Sequence, residues 1–489
     1  MKFSDAIRKD ARTVLTENGQ LAHNTTGDKL LDFYSTVGAI RNADKVRKET
    51  LYDEAYAEDP LMATKILFYA RDVRGGLGER QTFRELLKYA SKHHPGSIEP
   101  NIPLIAEYGR FDDLYSLIDT PVEKKLWEYV NSQLTIDLNN MDEDKPISLL
   151  GKWLKSIDAS STESRRLAYY TADKLGMDPA SYKMTLRRLR KYLDIVERHM
   201  VRNEWGLINY EGVPSRASMI YRKAFARHDK KRYDSYIFDV NSGKTKINAS
   251  TLYPYDIVEK YYCGYGFTDN FFKEADDTVE ALWKNLPNYV EPGTNAIVIA
   301  DVSGSMQGRP ICSAIGLAIY FAERNTGVYH NLMMSFSSSS TVHEIKGTTL
   351  LQKIHSINMR DWGMNTNLEA AFDNILDIAI RGNVKPEDMV KSIVIISDME
   401  IDACCGGFFY DEMRNRYKRY GYELPNVIFW NAYSRHDTFH TDKNRKGVQL
   451  ASGQSAATFK AIMACVGLTP LEAMYKVIGS ERYEAIKVL

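Results

Sequence analysis

The residues with the clearest chemical potential lie in residues 296–306, which read AIVIADVSGSM. Within this stretch, Asp301, Ser303 and Ser305 supply one carboxylate and two hydroxyl groups. Oxygen donors without any His or Cys suit a hard divalent cation such as Mg²⁺, or another such as Mn²⁺, with water completing the shell. The spacing of these residues therefore predicts a metal-binding loop.

A short strand must position this loop. Ala296 to Ala300 is apolar, rich in Ile and Val, and bounded by turn residues. Such a run predicts a strand that is buried on both faces, as in a parallel sheet. In open α/β sheets, ligands bind beyond the carboxyl ends of the strands. The loop therefore has the position that a binding site requires.

Two further polar positions are expected at the same edge of the sheet. Asp398 directly follows a second apolar run, Ser392 to Ser397, and Thr366 lies in a loop before a predicted helix. If the two strands are parallel neighbours, Asp301 and Asp398 come close, and two such carboxylates repel unless a cation lies between them. The alternative is that these residues only form turns and cap helices. The predicted metal ligands are Asp301, Ser303, Ser305, Thr366 and Asp398.

The chain divides into two predicted domains. From Thr294 onward, strands alternate with helices, which is typical of a doubly wound, mostly parallel α/β sheet with helices on both faces. Upstream, apolar residues spaced by three and four predict helices of about 10–15 residues joined by Pro-bearing turns. Pairs of such helices can stack as HEAT-like repeats, although no fixed-period repeat is found. We therefore expect an all-α domain over residues 1–292, with helical repeats that can close into a ring, and an α/β domain over residues 293–489.

A basic segment, residues 183–232, stands out in a chain whose net charge is zero. It contains fourteen Lys or Arg against five Asp or Glu, with aromatic residues between them. Basic side chains contact phosphates, and aromatic rings stack on unpaired bases. The alternative is a solvated helix face whose aromatic residues belong to the core. The candidate RNA-binding residues are Lys183, Arg187, Arg188, Arg190, Lys191, Arg198, Arg202, Arg216, Arg222, Lys223, Arg227, Lys230, Lys231 and Arg232.

A second arginine-rich stretch, residues 71–84, reads RDVRGGLGERQTFR. It does not match a phosphate-binding loop, because no Gly-Lys-Ser/Thr follows and no buried strand precedes it. A helix end, a turn and the start of a new helix are expected instead. Four arginines of this stretch could still face a polyanion: Arg71, Arg74, Arg80 and Arg84.

Length and composition indicate an ordinary globular protein. The 489 residues are 44% hydrophobic and 26% charged, which is common for soluble domains. The five Cys suit neither a disulfide framework nor a zinc site. No apolar stretch reaches the length of about 18 residues that a transmembrane helix needs, and the N-terminus has no apolar signal core. We therefore expect a cytoplasmic protein with reduced thiols and no membrane partner.

The motif Asp301-x-Ser303-x-Ser305, followed by Thr366 and Asp398, resembles the metal-ion-dependent adhesion site of von Willebrand factor A domains. The resemblance covers the C-terminal domain and implies that fold. It implies that Ser303, Ser305 and Thr366 contact Mg²⁺ directly, whereas the two Asp bind directly or through water. It also implies an open metal position that an acidic residue of a protein partner completes. No nucleophile–base pair accompanies the motif, so catalysis is not expected.

Three further stretches, residues 18–41, 68–84 and 213–232, extend the resemblance to most of the chain. The chain is similar to the TROVE family of Ro-type RNA-binding proteins, and more so to an uncharacterised TROVE-like family of plants, fungi and large viruses. This resemblance implies a ring of HEAT-like helical repeats closed against a von Willebrand A-like domain, within a ribonucleoprotein. The implied RNA is a single-stranded end or a small structured RNA.

Two functional hypotheses follow. The favoured one is a non-enzymatic RNA-binding scaffold, in which the helical domain binds RNA and the A-type domain holds Mg²⁺ for domain closure or partner recruitment. The alternative is a Mg²⁺-dependent protein-interaction or assembly module that does not bind nucleic acid. Scattered His residues without a nucleophile motif argue against an enzyme.

Overall fold

The structure, a computed structural model, describes residues 11–262, 274–336, 340–357, 366–403 and 407–489. The strands are β1 (Thr13–Leu15), β2 (Leu21–His23), β3 (Ala296–Asp301), β4 (Leu332–Phe336), β5 (Ser340–Glu344), β6 (Ser392–Ser397), β7 (Asn426–Asn431) and β8 (Val448–Ser452). The helices of the N-terminal region are α1 (Lys29–Thr36), α2 (Lys45–Glu58), α3 (Pro60–Arg71), α4 (Gln81–His93), α5 (Pro95–Ile98), α6 (Ile102–Tyr108), α7 (Glu123–Asp142), α8 (Leu150–Trp153), α9 (Thr162–Lys174), α10 (Pro179–Tyr192), α11 (Val196–Val201), α12 (Ser215–His228), α13 (Lys230–Asn241), α14 (Pro254–Val258) and α15 (Asp277–Lys284). The helices of the C-terminal region are α16 (Arg309–Arg324), α17 (Leu350–Ser356), α18 (Leu368–Arg381), α19 (Phe409–Arg419), α20 (Ala457–Met463) and α21 (Pro470–Ile478).

The C-terminal region contains one mixed sheet with the strand order β5-β4-β3-β6-β7-β8. Every neighbouring pair is parallel except β4 and β5, which form an antiparallel pair at one edge. The central strands β3 and β6 are buried along their whole length. Continuous apolar strands of this kind require helices on both faces of the sheet. The structure thus confirms an α/β domain behind a helical region.

The two faces of the sheet belong to two separate hydrophobic cores. On one face, Ile299 and Ile395 pack in a core that includes α18, α19 and the helices α1–α10. On the other face, Ala300 and Ile396 pack with α16 and with residues of α12–α15. Because side chains alternate along a strand, neighbouring residues of β3 serve different cores. The sheet is therefore the element that both halves of the helical region share.

Both ends of the helical region contact the C-terminal domain. At the start, α1 packs against β8 and α21, and at the other end α14 packs against α16. Between them, consecutive helices such as α2 and α3, or α12 and α13, pack on each other. Their lengths vary from 4 to 20 residues, so no constant repeat is visible and the HEAT-like repeat stays a prediction.

The expectation of an all-α N-terminal domain is wrong at its start. β1 and β2 form an antiparallel hairpin, called here the N-terminal hairpin (residues 13–23). Isolated bridges join Gly19 to Asp402 and His23 to Phe439, so the hairpin lies on the C-terminal domain. Strands of three residues are too short to show in apolar periodicity, and such a hairpin needs a packing partner to be stable.

Among the residues that the structure describes, no helix combines the length and the apolar character that crossing a membrane requires.

Candidate functional site

The predicted metal ligands gather at the carboxyl edge of the two central strands. β3 and β6 run in parallel with Ala300 opposite Ile396, so the loops that follow them leave the sheet side by side. Asp301 and Asp398 expose 0% and 1% of their surfaces. The strand register therefore places both carboxylates in the same buried region, as the two strand ends led us to expect.

Asp301 is held by neutral donors among the residues that the structure describes. Its Oδ1 accepts the Ser303 N–H at 2.9 Å, and its Oδ2 accepts the Ser397 hydroxyl at 2.6 Å. Burial, followed by the negative charge of Asp398, raises the pKa of Asp301 to about 7. A carboxylate without a cationic neighbour is costly to bury in its charged form. This position therefore favours a proton or a bound cation.

The two serine hydroxyls lie close to each other just after β3. Residues Gly304–Met306 form a single 3₁₀ turn, and this turn brings Ser303 Oγ within 3.1 Å of Ser305 Oγ. Ser303 is buried, whereas Ser305 is half-buried. Two hydroxyl oxygens at this separation can occupy neighbouring positions around one small cation.

Asp398 has a cationic neighbour that the sequence did not reveal. Its Oδ2 accepts a hydrogen bond from Arg435 Nη2 at 2.9 Å, and its Oδ1 accepts the Glu400 N–H at 3.1 Å. Met399, between Asp398 and Glu400, has a φ of +68°. A residue other than glycine adopts such a backbone angle only when its surroundings enforce it. The loop after β6 is therefore held in one specific conformation.

Thr366 is tied to that same loop. Its N–H donates to Asp402 Oδ2 at 2.8 Å, and its carbonyl accepts the Asp402 N–H at 3.0 Å. Thr366 exposes 1% of its surface and stands just before α18. Hydrogen bonds thus connect the three segments that carry the predicted ligands. The Asp301–Ser397 bond joins the ends of β3 and β6, and the Asp402–Thr366 bonds join the loop after β6 to the start of α18.

The buried charges at this edge do not cancel. Glu400 is fully buried, and its oxygens accept the Glu17 N–H and the Thr438 hydroxyl. Burial raises the pKa of Glu400. With Asp301 and Asp398, three buried carboxylates lie along this edge, and among the described residues only Asp398 contacts a guanidinium, that of Arg435. A divalent cation would correct this imbalance, because it binds oxygen ligands and supplies positive charge.

The donor set fits Mg²⁺ better than a softer metal. Among the described residues, no group of three or more His, Cys, Asp and Glu is arranged to hold a metal. The predicted set instead combines two carboxylates with hydroxyls, which are hard oxygen donors. Ser303, Ser305 and Thr366 would bind the cation together with Asp301 and Asp398, and the cation would supply charge neutralisation and an attachment point for an acidic group.

The N-terminal hairpin covers part of this edge. The Thr16 hydroxyl donates to the Ile401 carbonyl at 2.7 Å, and Asn18 Nδ2 donates to the Glu400 carbonyl at 2.7 Å. Glu17 pairs with Arg435, the same guanidinium that contacts Asp398. No local sequence signal marks Glu17, because its partners Glu400 and Arg435 lie more than 380 residues away in the chain. Arg435 is also unmarked, because its partners Glu17 and Asp398 lie in other segments.

The basic segment does not form one continuous basic surface. Eight of its cations pair with nearby carboxylates, and Arg190 donates instead to the carbonyls of Gly151 and Leu154 at 2.9 and 2.7 Å. Burial lowers the pKa of Arg190, so this side chain serves packing. The ion pairs are Lys183–Asp158, Arg188–Asp142, Arg198–Asp194, Arg202–Glu204, Arg216–Asp256, Arg222–Asp276, Lys230–Asp234 and Arg232–Asp229.

Five cations of the segment remain exposed. They make no hydrogen bond or ion pair with the part of the chain that the structure describes, and we call them the unpaired basic residues. Two lie one turn apart on α10 and two lie one turn apart on α12, so each pair faces one side of its helix. The unpaired basic residues are Arg187, Lys191, Lys223, Arg227 and Lys231.

Two aromatic residues of the segment, Tyr210 and Phe225, and two that flank it, Tyr182 and Tyr233, belong to the core, so base stacking is not available to these four rings. Tyr182, Tyr210 and Phe225 expose 1%, 6% and 1% of their surfaces. Tyr233 is also buried, and its ring lies 5.4 Å from the ring of Phe225. The interpretation of these four rings as a stacking platform is wrong, because they are buried in the core. Tyr192, Trp205 and Tyr221 are half-buried, and base stacking on them stays a prediction.

The arginines of residues 71–84 also divide by environment. Arg71 is buried and donates to Asp113 Oδ2 at 2.8 Å, whereas Arg84 binds Asp113 and Asp112. Arg74 donates to the Glu107 carbonyl at 3.1 Å. Arg80 is exposed. Only part of this stretch is therefore open to a ligand.

Fold and site together define a class: a helical scaffold joined at both ends to an α/β domain that carries a buried acidic site at its strand ends. Sequence comparison with family models makes this more specific. The family described as "Domain of unknown function (DUF2828)" matches residues 16–145 and 165–291, which is more than half of the chain. The chain belongs to this family. A second family, "Domain of unknown function (DUF7788)", matches residues 295–484.

One relative and two solved structures resemble the chain. "Uncharacterized protein L728" of Acanthamoeba polyphaga mimivirus is 28% identical, over 96% of this chain and 87% of that protein. The Deinococcus radiodurans RO (RSR) protein aligns over 92% of this chain and 93% of its own, with 13% identity and a TM-score of 0.33. Proximal thread matrix protein 1 from the mussel byssus aligns over 38% of this chain and 48% of its own, with 13% identity and a TM-score of 0.27. The chain thus spans about half of the mussel protein, and these scores are too low to transfer either protein's fold or function.

Proposed function

We propose that this chain is a non-enzymatic RNA-binding scaffold of the TROVE type, whose C-terminal domain holds a divalent cation. The observation that carries the proposal is the set of unpaired basic residues. Five exposed cations that form no ion pair with the described residues attract a polyanion, and each phosphate contact releases counterions. The sequence resemblance to Ro-type proteins favours RNA as that polyanion. The acidic site then acts in domain closure or in recruiting a protein.

The paired cations contribute less to this function. A surface ion pair already satisfies most of the hydrogen-bonding capacity of its Lys or Arg, and a phosphate must compete with the carboxylate. The unpaired basic residues face no such competition. RNA affinity should therefore depend on these five positions rather than on the total charge of the segment.

RNA binding to the full-length protein tests the proposal. Fluorescence anisotropy with a labelled single-stranded RNA should show affinity that falls steeply as salt rises from about 50 to about 200 mM. Five contacts to single-stranded RNA correspond to a slope of about −3.5 in log K against log salt. Replacing all five unpaired basic residues by Gln should remove most of this slope.

The control variant removes equal charge from other places. Its five cations are exposed but paired with a neighbouring Glu: Lys45, Lys125, Lys145, Arg166 and Lys346. Their replacement by Gln should leave RNA affinity within about threefold of the wild type if local pairing matters. An equal loss in both variants would show a net-charge effect and contradict the proposal.

A second function, a Mg²⁺-dependent assembly module without nucleic acid, is favoured by the three buried carboxylates Asp301, Asp398 and Glu400 at the acidic edge. Here the cation would stabilise the contact between the N-terminal hairpin and the sheet edge. Hydrogen exchange of residues 16–23 should slow when Mg²⁺ replaces EDTA. If RNA does not bind at low salt while this protection appears, the second function holds and the first does not.

A further inference from the structure

Three arginines share two carboxylates beside the start of α4. Arg71 Nε lies 2.8 Å from Asp113 Oδ2, and Arg84 Nη2 lies 2.8 Å from Asp112 Oδ2. Arg110 binds Asp112 as well, with its Nε 2.9 Å from Oδ1. Three guanidinium groups against two carboxylates leave a local excess of positive charge before any further residue is considered.

The last part of the helical region lies against this cluster. Gly78 is in contact with the Tyr253 ring, since a Cβ on Gly78 would fall 1.5 Å from the Tyr253 hydroxyl oxygen. The Tyr253 N–H donates to Asp256 Oδ2 at 3.1 Å, and Asp256 Oδ1 accepts from Arg216 at 3.1 Å. Arg216 of α12 is thus linked through Asp256 and Tyr253 to Gly78, two residues before Arg80, although more than 100 residues separate them in the chain.

Arg80 is the cation of this cluster that forms no direct ion pair with a described residue. It also makes no hydrogen bond with them. Arg84 and Arg216 repel its charge, whereas Asp112 and Asp113 attract it from a greater distance than an ion pair. Burial lowers the pKa of Arg80, and the positive charge of Arg84 lowers it further. Four guanidinium groups, those of Arg71, Arg80, Arg84 and Arg110, thus surround two carboxylates, and a further anion would reduce the remaining repulsion.

The start of α4 adds donors at the same place. Arg80 precedes the helix, no side chain caps its first turn, and that turn contains no acidic residue. The Thr82 hydroxyl in the first turn is fully buried and lacks a hydrogen-bond partner in the described part of the chain. Backbone N–H groups at a helix start, next to arginines, are suited to an oxyanion.

We propose that Arg80, Arg84 and Arg216 bind a phosphate group at the start of α4. A phosphate carries up to two negative charges and several acceptor oxygens, which matches an excess of guanidinium groups better than a carboxylate does. The group belongs either to an RNA backbone or to a small phosphorylated molecule. In the first case the site rests on the proposed RNA-binding function, and in the second it is independent of that function.

Calorimetric titration of the full-length protein with sodium phosphate, at constant ionic strength against sodium chloride, tests the site. We expect saturable binding to the wild type. Arg80→Gln should weaken it at least about tenfold, which corresponds to about 1.4 kcal/mol. Arg216→Gln should weaken it less, because Arg216 is paired with Asp256 and the phosphate must compete with that carboxylate. The control is Arg166→Gln, an exposed arginine paired with Glu163 on α9, which should bind phosphate like the wild type.

Two results would overturn the proposal: a wild-type protein that responds to phosphate no differently from chloride, or Arg80→Gln with unchanged affinity. Because Arg80 makes no contact that the fold needs, the variant should keep the wild-type circular dichroism spectrum. Arg80→Lys offers a second check, since it keeps the charge and should retain part of the binding.

Competition identifies the source of the phosphate. If a short single-stranded RNA displaces inorganic phosphate from the wild type, the site binds an RNA backbone. If phosphate binds but RNA neither binds nor displaces it, the site binds a small phosphorylated molecule. The proposed RNA-binding function is then wrong, whereas the phosphate site is confirmed.

Discussion

The acidic edge of the sheet and the basic segment organise their residues in opposite ways. At the acidic edge, Asp301, Thr366 and Asp398 come from distant parts of the chain and end within one buried region. In the basic segment, fourteen cations that are close in sequence separate into paired, buried and exposed positions. Parallel strands force their carboxyl ends together, whereas a helix distributes neighbouring residues around its axis.

The difference shows which kinds of functional site can be predicted from the spacing of residues in the sequence. A polar residue at the end of a buried strand has one possible location, so its meeting with another strand end can be expected. A dense run of Lys and Arg on helices has many possible partners, and only the tertiary structure shows which carboxylates are near. The following predictions test this contrast, beginning with the largest effect.

Phe225→Ala tests whether the aromatic residues of the basic segment are core. Phe225 exposes 1% of its surface and packs near Tyr210 and Tyr233. Its truncation should lower the free energy of unfolding by about 3–5 kcal/mol, measured by urea denaturation. Phe238→Ala, at a residue that is 66% exposed, is the control and should change it by less than about 0.5 kcal/mol. A stable Phe225→Ala protein with weakened RNA binding would restore the stacking interpretation.

His440 tests the packing behind the acidic edge. Burial lowers its pKa to about 4, and its Nε2 donates to the Met399 carbonyl at 2.9 Å. Between about pH 6.5 and 4, the unfolded chain binds the His440 proton more tightly than the folded chain does. The contribution of neutral His440 to the free energy of unfolding is therefore complete above about pH 6.5 and is lost as the pH falls toward 4.

Protonation of His440 should lower the free energy of unfolding by about 3 kcal/mol, because its pKa differs by about 2.5 between the unfolded and folded chains. Urea denaturation as a function of pH should show this loss in the wild type and a shallower one in His440→Gln. The exposed His93 is the control, and His93→Gln should follow the wild type. Parallel pH curves for wild type and His440→Gln would show that this ring is not buried in solution.

Asp301→Ala tests the metal site directly. Because Asp301 lacks a cationic neighbour among the described residues, its removal should weaken Mg²⁺ binding by more than about 100-fold, measured by calorimetry. Asp373→Ala, which removes a carboxylate paired with Arg416 on the surface of α18, should leave the affinity unchanged. Equal Mg²⁺ binding by wild type and Asp301→Ala would remove the metal from the acidic edge.

Asn18→Ala tests the hairpin contact, with the smallest expected effect. It removes the hydrogen bond to the Glu400 carbonyl and should cost about 1 kcal/mol. Hydrogen exchange of residues 16–23 should quicken, while that of β3 and β6 stays constant. Asn140→Ala removes an exposed amide-to-carbonyl bond to Pro146 and is the matched control. Unchanged exchange in Asn18→Ala would show that other contacts hold the hairpin.

Much of the C-terminal domain could be predicted from its strands. The runs Ala296–Ala300 and Ser392–Ser397 form β3 and β6 with bounds that agree within one residue, because short, continuous apolar runs have few alternatives. The N-terminal hairpin could not be predicted, since its strands are short and its bonds go to the other end of the chain. Arg435 was missed for the same reason: its partners, Asp398 and Glu17, lie in segments that only folding brings near.

From the sequence by itself come the acidic loop, the prediction of a divalent cation and the two apolar strands, Ala296–Ala300 and Ser392–Ser397, whose ends present the loop. Period-two and continuous apolar patterns specify strands, and chain order with parallel pairing specifies which ends meet. The tertiary structure alone decided which cations form no ion pair with the described residues, Arg80 among them, and which aromatic rings enter the core. Those outcomes depend on long-range neighbours, because the state of a charge is set by the groups around it rather than by its place in the chain.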